Sequence, residues 1–250
     1  MTAKVITITN QKGGVGKSVL ALHIAWYARD KGLKVAFFDV DSQENSTTTL
    51  KEHTLSGVLA SDFYSKKVKV HECQPFALIP ADPKLDDLDS KGVDIVRDFV
   101  ANITDFKNDY DLIVIDTPPS PSLRMTAALI ASDYAVAPVE MESYSIAGVT
   151  KLLKMVFGVQ QRHNKKLQFL GMIPNRLNAN SVEQKNAMHS LFKAHGHLMI
   201  RKKIGIRVAI PKAISQKIPV WELKTTSARE AAKEVVAVLD DIFEKMEFSA

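Results

Sequence analysis

The chain reads as an α/β protein, a mostly parallel twisted sheet with helices on both faces. Three observations predict this. Short unbroken apolar runs recur along the 250 residues, amphipathic stretches lie between them, and a glycine-rich turn joins the first run to the first helical stretch. Unbroken apolar runs mark strands buried on both faces, as parallel sheets require. Parallel neighbours need a long crossover, and a helix is the usual one.

Val5-Ile6-Thr7-Ile8 is the first strand, and the run from Val19 to Ala28 is the helix after it. Val35-Ala36-Phe37-Phe38 is the second strand and ends at Asp39-Val40-Asp41. Phe76 to Pro80 is the third, and Leu112 to Ile115 is the fourth, ending at Asp116. Tyr134 to Val139 and Phe169 to Ile173 are the fifth and sixth. Helical patterns are clearest over 82–100, 143–161, 181–195 and 227–243. With no internal repeat, low-complexity tract or linker, one domain over 1–250 is expected.

Composition narrows the class. Hydrophobic residues make up 46% and charged residues 24%, ordinary for a globular protein. No apolar run approaches the ~18 residues needed to span a bilayer. A strand begins almost at the N-terminus, so no signal peptide is expected. The one cysteine, Cys73, excludes an internal disulfide framework and fits a reducing, cytoplasmic setting. The net charge of +5 is unevenly spread. Residues 193–233 hold ten lysines and arginines against two glutamates, a segment charge of +8 that leaves −3 for the rest. Such asymmetry points to a polyanion-binding face.

The chemistry concentrates in Gln11-Lys12-Gly13-Gly14-Val15-Gly16-Lys17-Ser18. A glycine turn between a strand and a helix N-terminus aims backbone N–H groups and the helix dipole at an anion. In such a loop Lys17 reaches the β- and γ-phosphates of a nucleotide, and the Ser18 hydroxyl ligates Mg²⁺. The strict phosphate-loop pattern wants glycine where this chain has Gln11. Lys12 is the odd residue: two ammonium groups in one loop repel unless an anion lies between them or one points away. Asp39, Asp41, Asp116 and Asn175 all fall at the carboxyl ends of strands, where ligands bind in parallel sheets. Asp116 after an apolar strand fits a carboxylate that holds Mg²⁺ opposite Ser18. Asp39 and Asp41, two apart on a strand end, point the same way.

Lys12-Gly13-Gly14-Val15-Gly16-Lys17-Ser18 resembles the deviant Walker A motif of the ParA/MinD P-loop ATPases. Asp39-Val40-Asp41-Ser42-Gln43 is similar to that family's Asp-x-Asp-Pro-Gln segment, with Ser42 in place of proline. Asp116-Thr117-Pro118-Pro119 is similar to its switch loop. The resemblance implies ATP and Mg²⁺ as cofactors, with Lys12, Gly13, Gly14, Val15, Gly16, Lys17, Ser18 and Val19 around the phosphates. It implies that Lys12 crosses to the ATP of a second subunit in a homodimer, that Lys12, Lys17 and Asp41 carry hydrolysis, and that Ser18, Asp39 and Asp116 serve the metal. Asn175 in Pro174-Asn175-Arg176, and Pro211 in Ile210-Pro211-Lys212, correspond to the positions around adenine. The single cysteine counts against the iron–sulfur and metalloid-pump relatives, which use paired cysteines.

Glu140-Met141-Glu142-Ser143-Tyr144-Ser145-Ile146-Ala147-Gly148, Lys166 to Met172, Ile218-Pro219-Val220-Trp221 and the C-terminal 226–247 stretch are similar to plasmid partition ATPases. The likeness is to the short ParA form of IncP-like plasmids, which lacks an N-terminal helix-turn-helix domain. This branch implies a weak ATPase that dimerises on ATP, binds double-stranded DNA without sequence preference, and associates with the nucleoid. A ParB/KorB-type centromere-binding protein would stimulate it, and no membrane would be needed. Lys202, Lys203, Arg207, Lys217 and Lys224 are the candidate DNA contacts. The alternatives are a MinD-like membrane-associated ATPase or one that positions another cargo. The acidic polar side of the last helix (Asp240, Asp241, Glu244, Glu247) disfavours anionic lipid.

Overall fold

The computed structural model describes residues 2–65, 67–69, 73–141 and 146–248. Among the described residues six strands form one sheet, all parallel: β1 (Lys4–Ile8), β2 (Val35–Asp39), β3 (Phe76–Ile79), β4 (Leu112–Asp116), β5 (Tyr134–Glu140) and β6 (Gln168–Asn175). Their order is β3-β2-β4-β1-β5-β6. All six expected strands are present, and the α/β class holds.

The helices are α1 (Lys17–Asp30), α2 (Asn45–Leu50), α3 (Leu85–Leu88), α4 (Asp94–Phe106), α5 (Leu123–Ala131), α6 (Ile146–Arg162), α7 (Val182–His195), α8 (Ala209–Ser215) and α9 (Thr226–Lys245). The helix expected over 82–100 is instead two, α3 and α4. Gly92 sits between them at φ 86°, a left-handed conformation that ends a helix and that only glycine adopts freely. The helix expected from 143 is described from Ile146, and the 142–145 part of the Glu140–Gly148 motif lies outside the described residues.

Alternation along the strands sorts the core into two faces. Ile6, Ile8, Val35, Phe37, Leu112 and Val114 pack under α1, α8 and α9. Val5, Ala36, Phe38, Ile113 and Ile115 pack under α3, α4 and α5. Both faces are filled, which is why the strands read as continuous apolar runs. A third cluster joins β5 and β6 to α6 and α7. In α9, Val235, Val238, Leu239, Ile242 and Phe243 are all buried against the first face. Its apolar side therefore faces protein rather than lipid. No helix among the described residues is long and apolar enough to cross a membrane.

Register places the polar strand ends. Asp116 pairs with Ile8 on one side and with Asp39 on the other, so two carboxylates stand at the same level on adjacent strands. Glu140 of β5 pairs with Asn175 of β6.

Candidate nucleotide site

The loop after β1 turns through Gly14 at φ 76° and Gly16 at φ 92°, both left-handed, and Gly16 caps α1. Glycine is needed here for backbone conformation, and at Gly16 for space as well: a Cβ there would collide with the Asn175 amide nitrogen. Asn10, buried at the end of the strand, ties the loop down. Its Oδ1 accepts from Lys12 N at 3.0 Å and its Nδ2 donates to Pro138 O at 2.7 Å.

The two lysines part company. Lys17 is buried, and its ammonium donates to the Lys12 carbonyl at 3.2 Å across the inside of the loop. Burial lowers its pKa, while Asp116 and Asp41 favour the charge. The Lys12 ammonium points outward to Glu140, 4.0 Å away, and its side chain is 39% exposed. Glu140 also pairs with Arg176 Nε at 3.3 Å, and Arg176 Nη1 donates to Gly14 O at 3.2 Å.

Asp116 and Asp41 act on Lys17, and Asp39 stands beside Asp116. Asp39 accepts from Thr47 N and Oγ1 at 2.7 and 2.9 Å, which fixes the start of α2, and from Asp41 N at 3.2 Å. Burial, then the Asp116 carboxylate beside it, push its pKa well above the carboxylate range. Burial does the same to Asp116, against the Ser18 and Ser46 hydroxyls and Lys17, which hold it down. Asp116 Oδ2 accepts from Ser46 Oγ at 2.8 Å, whereas Oδ1 is buried with no hydrogen-bond partner. A lone buried carboxylate oxygen near a serine hydroxyl suits a small hard cation. No cluster of three or more His, Cys, Asp or Glu able to hold a metal occurs among the described residues.

Two cavities meet at the loop. One of about 680 Å³ is lined by Gly13, Gly16, Lys17, Ser18, Asp41, Gln43, Thr48, Pro119 and Lys217. The second, about 360 Å³ and mostly apolar, shares Gly14, Gly16 and Val19 and is closed by Asn175, Ile204, Ile206, Arg207, Ile210 and Pro211. Val15 is buried beneath the loop. The Asn175 amide donates to Val15 O at 2.8 Å, so it braces the loop while lining this second cavity. His23 lies at its floor, fully buried and singly tautomeric: Nδ1–H donates to Val19 O at 2.7 Å and Nε2 accepts from Val220 N at 3.3 Å.

The expected basic face is divided. Lys202, Lys203 and Lys224 are exposed. Lys217, at φ 57° after α8, lies half-buried in the first cavity. Arg207 does not join these exposed lysines, because its guanidinium binds Glu234 and Glu230 at 2.6 and 2.8 Å. Several residues around the loop are given no role by the sequence: Asn10, His23, Ser46, Thr47, Glu140, Arg176 and Glu234. Most of them act through a contact distant in sequence, such as Ser46 with Asp116 or His23 with Val220, which a linear pattern does not reveal.

Residues 3–169 match the family described as AAA domain. The chain is 36% identical to Protein IncC of Escherichia coli over 99% of its own length and 71% of that protein's. It is 34% identical to the chromosome-partitioning ATPase Soj of Thermus thermophilus over 67% of each chain. Among solved structures, an ATP complex of a point variant of Cyanothece McdA superposes with a TM-score of 0.83 at 20% identity, over 96% of both chains. With the deviant phosphate loop standing on a parallel sheet and these relatives alongside, the chain belongs to the ParA-type partition ATPases of the ParA/MinD P-loop family.

Proposed function

We propose that residues 1–250 act as one ATPase domain that dimerises on ATP, binds DNA without sequence preference and releases it on hydrolysis. The observation that carries this reading is the outward Lys12 beside the inward Lys17. An inward lysine serves the phosphates of its own loop. An outward one, loosely held by Glu140, is free to reach a nucleotide on a second copy.

In this reading the triphosphate lies over 13–18, with Lys17 on the β- and γ-phosphates and the base in the cavity under Asn175 and Pro211. Mg²⁺, held by Ser18 and Asp116 with Asp39 behind them, would offset charge on the phosphate oxygens. Asp41 orients the attacking water, and Lys12 of a second copy stabilises charge on the transferring phosphate. A site completed only by dimerisation turns over slowly alone, which suits a switch stimulated by a ParB/KorB-type centromere-binding protein. Lys202, Lys203 and Lys224, with Lys217 at the cleft, supply the DNA phosphate contacts, and nucleoid association in the cytoplasm follows.

Light scattering with Mg²⁺-ATP, Mg²⁺-ADP or no nucleotide tests the dimer. Doubling of the 27.7 kDa mass with ATP alone is expected. One mass in all three states would overturn the reading.

A further inference from the structure

We infer that Arg207 and Glu234 are positioning residues for nucleotide binding: their ion pair holds the 204–208 segment in place as the roof of the base cavity. The inference rests on the ATP-binding reading above.

Ile204-Gly205-Ile206-Arg207-Val208 is a short loop with no helix or strand of its own. It is anchored on two sides. Towards β6, Ile204 N donates to Pro174 O at 2.9 Å and Ile206 N to Leu177 O at 3.1 Å. Towards α9, Gly205 N donates to Glu234 Oε2 at 2.9 Å. Arg207 Nε meets the same oxygen at 3.1 Å, and Nη2 meets Oε1 at 2.6 Å. The guanidinium thus grips one carboxylate with two nitrogens and reaches Glu230 with a third at 2.8 Å. Glu230 and Glu234 lie one turn apart on α9, so both carboxylates face the loop. Only a planar fork with several donors can make all of these bonds.

The geometry is tight. A Cβ on Gly205 would meet Arg207 Nε at 3.3 Å and Glu234 Oε2 at 3.4 Å, so the absence of a side chain lets the clasp close on the backbone. Burial disfavours the Glu234 carboxylate, yet Arg207, Gly205 N–H and Lys203 together hold its pKa below the usual range.

The apolar side chains of the same loop show what the clasp serves. Ile206 is 55% and Val208 86% exposed, and both line the mouth of the 360 Å³ cavity. Large apolar side chains left in water at a cavity mouth are the surface that a flat apolar group would cover. Without the clasp the loop keeps its β6 anchors but loses its α9 side. The roof would then have to be ordered when the ligand binds, and that cost weakens affinity. The base is common to ATP and ADP, so both must feel the loss equally.

The test is calorimetric titration of the full chain with Mg²⁺-ATP and Mg²⁺-ADP, in the absence of DNA. In Glu234→Gln and Arg207→Lys, both Kd values should rise by the same factor, about tenfold. KM should rise with Kd while kcat at saturation holds. Glu230→Gln, which removes only the exposed arm, should change Kd by less than about twofold. Gly205→Ala crowds the clasp without removing a charge and should act in the same direction, which keeps the test open if Glu234→Gln does not fold. Unchanged Kd values in Glu234→Gln and Arg207→Lys would overturn the inference, as would a loss for ATP alone, which would move the effect to the γ-phosphate. A wild-type chain that binds neither nucleotide would overturn the ATPase reading instead.

Discussion

The Asn175 amide occupies the space that a side chain on Gly16 would fill, and from there it donates to the Val15 carbonyl at 2.8 Å. One end of β6 thereby locks the phosphate loop that follows β1, although 160 residues separate Asn175 from Val15. The left-handed φ of 92° at Gly16 and this close approach are two separate demands on one residue.

Gly16→Ala should therefore destabilise the fold by about 2 kcal/mol or more, through strain plus collision. Asn175→Ala should cost about 1–2 kcal/mol by leaving the Val15 carbonyl unpaired. In the double variant the collision is gone but the strain remains. Urea denaturation should then find the double cost below the sum of the single costs by about 1 kcal/mol. Strict additivity would show that the two side-chain positions do not touch.

Lys12→Ala should leave stability within about 0.5 kcal/mol, because a half-exposed pair at 4.0 Å contributes little. The ATP-dependent doubling of mass should nevertheless be lost. Thermal melting and light scattering on one preparation check both halves.

Asp116→Asn removes a charge from a crowded, buried carboxylate group while keeping an acceptor for Ser46. The nucleotide-free protein should lose no more than about 1 kcal/mol, or gain slightly. The rise in melting temperature caused by Mg²⁺-ATP should disappear, as it should in wild type when EDTA removes the metal. A variant that still responds fully to Mg²⁺ would move the metal away from Asp116.

His23 gives one separable pH dependence. Burial lowers its pKa to about 4, from the ordinary 6.5. Between these values the unfolded chain binds the proton and the folded chain does not. The contribution of His23 is therefore full above pH 6.5 and is lost as pH drops towards 4, by up to about 3 kcal/mol, opposite in sign to that of the raised Asp39 and Asp116 carboxyls. In His23→Gln the slope across that window should flatten in denaturation curves taken from pH 4 to 7.

Much of this architecture is legible because the informative signals are local. Each strand is one apolar run, the phosphate loop is one contiguous motif, and Asp39, Asp116 and Asn175 announce themselves by ending strands. The break at Gly92 is hidden because the apolar pattern continues through it, and a single glycine inside a helical pattern is ambiguous. α2, α5 and α8 do not stand out in the sequence, since each is only six to nine residues long, too short for a clear period. Arg207 reads as one more cation in a basic run, because the glutamates that neutralise it come 23 and 27 residues later. Lys12 is the reverse case: the sequence poses the problem of two ammonium groups in one loop, and Glu140, 128 residues on, draws one of them outward.

In the proposed function, ATP rather than basicity alone makes this chain bind DNA. The direct measurement is binding to non-specific duplex DNA with ATP, ADP or no nucleotide across a salt series. Strong binding with ATP only, steeply weakened by salt and abolished in Lys12→Ala, is the expected result. Equal binding in all three nucleotide states would contradict it and leave only a basic surface.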